Sequence, residues 1–190
     1  MKKKISRPKI LCFVSRYLPG YKSGGPVKSI SNLVAHLSND FEFLIITSDR
    51  DVLDIKPYSS IKVNSWNKVG TSKVYYVSKS KLTFNFIMKI IKTTNHDILY
   101  LNSFFDFNFT IIPLIIRRYF FNSDKPCVLA PRGEFSDAAL DIKFFKKIIF
   151  IFFSDLLKLY RNINWQASGQ KEFKEILNNR KVANLCFYTI

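Results

Sequence analysis

The chain has 190 residues, with 30 Lys+Arg against 14 Asp+Glu, 47% hydrophobic residues and only 6 Gly and 7 Pro. That composition excludes a disordered tail, a collagen-like chain and a low-complexity segment, and it leaves ample material for a buried core. The net charge of +16 favours anionic partners. Part of it accompanies an abundance of Asn, Ile and Phe, whose codons share A and T with those of Lys. No basic block interleaved with aromatic residues forms a nucleic-acid motif, so nucleic acid is not an expected partner.

The elements read in chain order as strand then helix, repeated. Residues 9–15 (K-I-L-C-F-V-S) form a continuous apolar run, the mark of a strand buried on both faces. A glycine-rich turn follows from Gly20 to Gly25, and Pro26 sits where a first helical turn tolerates a missing N–H. Val27, Ile30, Leu33, Val34 and Leu37 recur at three and four, predicting a helix to about Ser38. Residues 41–47 predict the second strand, and 49–72 a long polar loop of functional or mobile character.

Beyond it, 73–78 reads as a third strand and 84–94 as a helix, with a fourth strand at 97–101. Residues 109–121 predict a helix in which Pro113 occupies the first turn or makes a kink. A fifth strand is expected at 127–130, one long helix at 138–160, a sixth strand at 164–167 and a short helix at 171–177. A seventh strand fits 185–189. The alternation predicts an α/β fold, a Rossmann-like doubly wound parallel sheet, which binds ligands at the carboxyl ends of its strands. The expected domain covers 1–180, with 181–190 a linker or the end of a shortened frame.

Cys12, Cys127 and Cys186 are far apart and odd in number, and read as single buried thiols in strands. Without a disulfide framework or a leader peptide, the expected location is cytoplasmic. No apolar stretch reaches the ~20 residues of a spanning helix. His36 and His96 have no nucleophile or metal-ligand company. Asp49-Arg50-Asp51 places two carboxylates close together, but no third ligand accompanies them, so no metal is expected.

Two segments are candidate sites. In Ser15–Pro26, Gly24 and Gly25 precede a helix, where bare backbone approaches a ligand and first-turn N–H groups attract phosphate. The spacing matches neither GxGxxG nor GK[ST], and a plain strand-to-helix turn explains it equally well. In Ala130-Pro131-Arg132-Gly133-Glu134-Phe135, Arg132 and Glu134 could fix a phosphate or a sugar hydroxyl, or cap the turn as an ion pair. On the helix expected at 138–160, Lys143, Lys147, Ser154, Lys158 and Arg161 fall within ~40° of one direction, interrupted by Phe150 and Ile151. Such a face suits an anionic membrane surface, or burial against another element.

Four segments in this order, 17–33, 47–51, 128–135 and 165–172, resemble the N-terminal domain of family-4 glycosyltransferases of GT-B architecture. The resemblance implies retaining transfer of a sugar from a nucleotide-sugar donor to a glycan or lipid-linked acceptor in surface-polysaccharide synthesis. No metal or other cofactor is implied. Gly24 and Gly25 would lie beside the donor phosphates, and Arg132 and Glu134 would face the reacting sugar. Arg132 stands where the family often carries a His, and Asn102 and Ser103 stand where many members carry another. Most donor contacts in the family come from a C-terminal domain, so little activity is expected of this chain alone. A C-terminal-type partner chain and peripheral contact with the inner membrane face are the expected partners. The alternative function is a non-catalytic module that pairs with another chain or with a membrane.

Overall fold

The structure, a computed structural model, describes residues 6–121, 123–142, 144–179 and 187–189. The fold is α/β, with mostly parallel strands alternating with helices in a Rossmann-like manner. Compactness divides the chain into two units, one ending at Tyr100 and the other starting at Leu101.

The first unit opens with β1 (Lys9–Phe13), whose last four residues are buried. It continues through α1 (Gly25–Leu37) into β2 (Glu42–Ser48). Then follow β3 (Trp66–Val69), β4 (Ser72–Val77), α2 (Phe84–Thr93) and β5 (Ile98–Leu101), whose final residue already belongs to the second unit. The strand order is β3-β4-β2-β1-β5. Strand β2 pairs in parallel with both β1 and β4, and Cys12 lies opposite Ile45. The helices bury one stripe each, Val27, Ile30 and Val34 on α1 and Ile87, Ile90 and Ile91 on α2. Thr83 caps α2 by accepting from the Phe86 amide at 3.3 Å.

The expected loop at 49–72 is largely organised. The Tyr58 amide donates to the Asp49 carbonyl at 2.9 Å and closes 49–58 on itself. Asn64 accepts from Ser78 through its side chain, and its own amide donates to Tyr76. Then β3 pairs antiparallel with β4 across the two-residue turn Gly70-Thr71, with Gly70 at φ 56°. This edge strand was absent from the expectation because it has four residues, only two of them apolar and none buried.

The second unit begins after β5 with a helix of mixed pitch: π turns at Phe107–Ile111 and Ile116–Phe121 flank α3 (Ile112–Ile115). The helix therefore starts before 109, capped by Asp106, and Pro113 lies past its first turn. Widened turns let the ladder run past a residue that has no N–H: the Ile112 amide donates to the Phe107 carbonyl, five residues back. Strand β6 (Cys127–Leu129) and β7 (Asn164–Ala167) are parallel, as are β7 and β8 (Phe187–Thr189). The last helix, α6 (Gln170–Asn179), lies between β7 and β8 in the chain.

One long helix at 138–160 is not what forms. The segment is α4 (Asp137–Asp141), an extended residue at Ile142, then α5 (Phe144–Leu156). Lys147 donates its ammonium to the Ala139 carbonyl, satisfying a group the end of α4 leaves open. Helix α5 ends in a Schellman motif: Leu159 N–H donates to Ser154 and Lys158 N–H to Asp155, with Lys158 left-handed at φ 50°. The proposed basic face therefore does not exist as a helix face. Lys143 is outside the described residues, Ser154 is buried, and Lys158 and Arg161 follow the helix end.

The core of this unit is aromatic. The ring of Phe104 stacks on Tyr160 at 4.4 Å between centroids and 18° between planes, and packs near Phe105, Phe135, Phe150 and Trp165. The Tyr160 hydroxyl donates to the Phe104 carbonyl at 2.9 Å, so the stack also satisfies a buried polar group. Cys12 and Cys127 are buried in β1 and β6 and form no disulfide, and burial pushes the Cys127 thiol up to about 12. Cys186 lies outside the described residues.

Candidate functional site

Each unit gathers polar groups in the loops after its strands, and the two loop clusters are described in turn. In the first unit, the segment after β1 is shaped by Asp51, from the loop after β2. Its Oδ2 accepts from the amides of Tyr21 at 2.8 Å and Lys22 at 3.0 Å, and its Oδ1 from Val52 at 2.8 Å. Burial pushes this carboxyl up, but the three amides and the nearby Lys22 ammonium outweigh it and hold the carboxyl below the usual range. Asp49, fully buried, pairs with the neighbouring Arg50 at 2.8 Å. Both carboxylates of the D-R-D segment are thus engaged by protein groups, and among the described residues no three His, Cys, Asp or Glu side chains cluster as metal ligands.

Gly20 is where the close approach matters. A Cβ there would collide with the Tyr58 hydroxyl and press on the Tyr17 carbonyl and Asp51 Oδ2. Burial raises the Tyr58 phenol to about 12, with the Asp51 charge adding to it. An open groove of about 760 Å³ lies alongside, lined by Tyr21, Lys22, Asp54, Ile55, Tyr58 and Ser59 among others. Lys22 and Asp54 form an ion pair on its wall. Tyr21 is 77% exposed and offers a ring face to a bound group.

Gly24 and Gly25 lie where α1 begins. Gly24 is its N-cap at φ 57° and ψ −109°, a combination closed to residues with a Cβ, and no side chain caps the helix. Pro26 occupies the first turn as predicted. A methyl group on either glycine would meet no atom within 4 Å, so the backbone is open on that side. His36 bonds the Asn32 carbonyl on the exposed side of α1, and His96 is buried with Nδ1 2.7 Å from the Thr94 carbonyl.

In the second unit, the turns after β5, β6 and β7 are tied together by two carboxylates. Glu134 accepts from the Ser103 hydroxyl at 2.8 Å and the Phe105 amide at 3.1 Å, and also from the Phe104 amide. Its side chain is turned onto the chain itself, so it braces the turn at 103–105. Burial raises its pKa, and these three bonds only partly offset that. Glu172 of α6 does the same from the other side, accepting from the Gly133 amide and from the Ser168 amide and hydroxyl, each at 2.6 Å.

Arg132 sits between these braces in a left-handed conformation at φ 58°, followed by Gly133 at φ 77°. Its Nε donates to Asn102 Oδ1 at 2.7 Å. Asn102 is 5% exposed, and its Nδ2 has no hydrogen-bond partner among the described residues. That leaves a buried donor beside a permanent cation, a pair able to bind an oxyanion or sugar hydroxyl and unable to act as a base.

Arg132, Glu134, Gly24 and Gly25 were visible in the sequence as turn residues. Asp51 as a backbone brace, Tyr58 against Gly20, and Glu172 were not. Their partners lie about 30 to 40 residues away in the chain, beyond any local pattern. No protein-family model matches the chain, and no curated protein matches it.

Proposed function

We propose that the chain is the N-terminal, acceptor-side domain of a family-4 glycosyltransferase of GT-B architecture. In this reading it serves retaining transfer of a sugar from a nucleotide-sugar donor to a glycan or lipid-linked acceptor in surface-polysaccharide synthesis, on the cytoplasmic side, without a metal. One observation carries the reading. Segments 17–26 and 49–51 fold together beside a groove after β1 and β2, and 130–135 turns directly after β6, where α/β sheets take their ligands.

The roles follow from the chemistry of each group. The Gly24 amide is taken by the Tyr21 carbonyl at 3.0 Å and Pro26 has none, so the amides of Gly25 and Val27 at the start of α1 approach the donor diphosphate. The groove with Tyr21, Tyr58 and the Lys22–Asp54 pair offers a ring face and charged hydrogen-bond partners to an acceptor saccharide. Arg132, oriented by Asn102, stabilises the negative charge that develops on the leaving phosphate or donates a hydrogen bond to a sugar hydroxyl. Glu134 positions that turn rather than touching substrate.

The test is amide chemical-shift mapping of the 190-residue chain against UDP-sugars, GDP-sugars and oligosaccharide acceptors, with nucleotide release measured in parallel. Shifts at Gly24, Gly25 and Val27 with nucleotide sugar and at 21–22, 54–56 and 58–59 with a saccharide are expected, with turnover at background. If no member of the panel moves either segment, the reading fails. Turnover by this chain alone that disappears in Arg132→Ala would overturn its two-domain part.

A further inference from the structure

Helix α5 has its polarity reversed. Of its residues only Ser154 is buried, while Phe145, Phe152 and Leu156 are 80%, 64% and 65% exposed and Ile148, Ile149 and Phe153 about half exposed. At about 100° per residue these six span one arc of roughly 140° that contains no charge. The opposite side packs inward through Phe150, against Phe104, Phe105 and Tyr160, and through Lys147, over the Phe105 ring at 5.0 Å. A continuous apolar face of this kind marks a surface that meets something other than water.

The surroundings say what. Leu157 extends the face past the helix end, and its carbonyl accepts from the Tyr119 hydroxyl at 2.6 Å, which brings Tyr119 and Phe120, both more than half exposed, alongside. Arg117 donates to the carbonyls of Lys125 and Asn162, which holds both residues at the same end. Exposed Lys146, Lys158 and Arg161 and half-exposed Arg118 border the apolar face, with Lys125 beside them, against two exposed acidic residues, Asp124 and Asp155, in the same segments. Large apolar residues with Tyr at the margin and an unbalanced basic rim are complementary to anionic headgroups over an acyl layer. A protein partner would have to bring its own acidic complement.

We infer that α5 with the 117–121 and 157–161 margins docks flat on an anionic lipid surface. Phe145, Ile149, Phe152 and Leu156 enter the headgroup–acyl boundary, and Lys146, Lys158, Arg161 and Arg118 lie at the phosphates. No helix among the described residues is long and apolar enough to cross a membrane, so the attachment is peripheral. The inference is independent of sugar transfer, since it uses no residue of either loop cluster.

Flotation of the 190-residue chain with vesicles of equal parts phosphatidylglycerol and phosphatidylcholine, and of phosphatidylcholine alone, tests it at about 0.1 M salt. Binding to the anionic vesicles is expected to fall at least about 30-fold in Phe145→Ser with Phe152→Ser. In Lys158→Ala with Arg161→Ala it should fall about 25-fold, with little change on neutral lipid. All four side chains are exposed, so both variants keep their fold. Emission of Ile149→Trp in the otherwise unchanged chain should shift to the blue on the anionic vesicles alone. Equal binding by the serine variant would reduce the effect to bulk charge and overturn the inference. An unshifted emission would overturn it too, as would a dimer in solution that the serine variant dissolves without any vesicle binding.

Discussion

In the first unit Asp51 gathers the amides of Tyr21, Lys22 and Val52; in the second Glu134 gathers those of Phe104 and Phe105 with the Ser103 hydroxyl. Each carboxylate holds a turn that follows a strand, and each accepts three hydrogen bonds. Yet Asp51 is more acidic than usual and Glu134 less. Burial raises both. Around Asp51 the amides win, helped by the Lys22 ammonium; around Glu134 burial wins, and Asp106 adds a like charge. The same bonding pattern can therefore leave a carboxylate on either side of its ordinary acidity, and the local dielectric and neighbouring charge decide which.

The hardest blow to this comparison is Asp51→Ala. It strands the amides of Tyr21, Lys22 and Val52, partly buried donors whose lost bonds cost about 1 kcal/mol each. We expect a loss of about 3 kcal/mol in urea denaturation, together with loss of the 21–22 shifts on saccharide addition. Asp51→Asn, which keeps the acceptor oxygen, should lose less than half as much.

Arg132 sharpens the comparison on the backbone side. A residue with a Cβ at φ 58° is strained, and glycine is not. Arg132→Ala and Arg132→Gly both lose the bond to Asn102, so their difference isolates the strain. Arg132→Gly should be more stable than Arg132→Ala by about 1 kcal/mol, read from paired denaturation midpoints.

The smallest effect is the pH dependence, and its sign differs between the two carboxylates. The folded pKa of Asp51 lies below its unfolded value, so its contribution is complete above the ordinary Asp range and is lost as pH falls through the lowered value. The folded pKa of Glu134 lies above its unfolded value. The native state then holds more protons, and stability declines as pH rises from the ordinary Glu range through the raised value. Denaturation midpoints from about pH 3 to 7 should show Asp51→Asn flattening the acid limb and Glu134→Gln flattening the decline. Slopes of the same sign for both would break the comparison.

Much of the fold was legible because burial on both faces writes itself as apolar runs. Residues 9–13, 42–48 and 98–101 needed no tertiary information, and Pro26 marked the start of α1. Strand β3 was overlooked although Gly70 before Thr71 is a hairpin turn signal. The break at Ile142 and the stop at Lys158 were not legible at all. Neither has glycine or proline: one is secured by a lysine returning to a carbonyl, the other by a lysine in glycine's usual place. At the site, chain spacing pointed to Gly24, Gly25, Arg132 and Glu134 as turn residues. It could not disclose that Glu134 faces the chain or that Asn102 orients Arg132, because those partners meet only through the fold.

The four-residue strand β3 also decides how the first unit behaves at high concentration. It is the outermost strand in the order, and its Lys68 stands directly opposite Lys73 of β4. A short border carrying facing like charges is a poor template for another chain to add to. Lys73 is anchored by Glu42 at 3.0 Å, whereas Lys68 stands exposed on the rim. The unit thus ends its sheet on a short strand with an exposed lysine at its margin, a poor template for strand-to-strand stacking of copies.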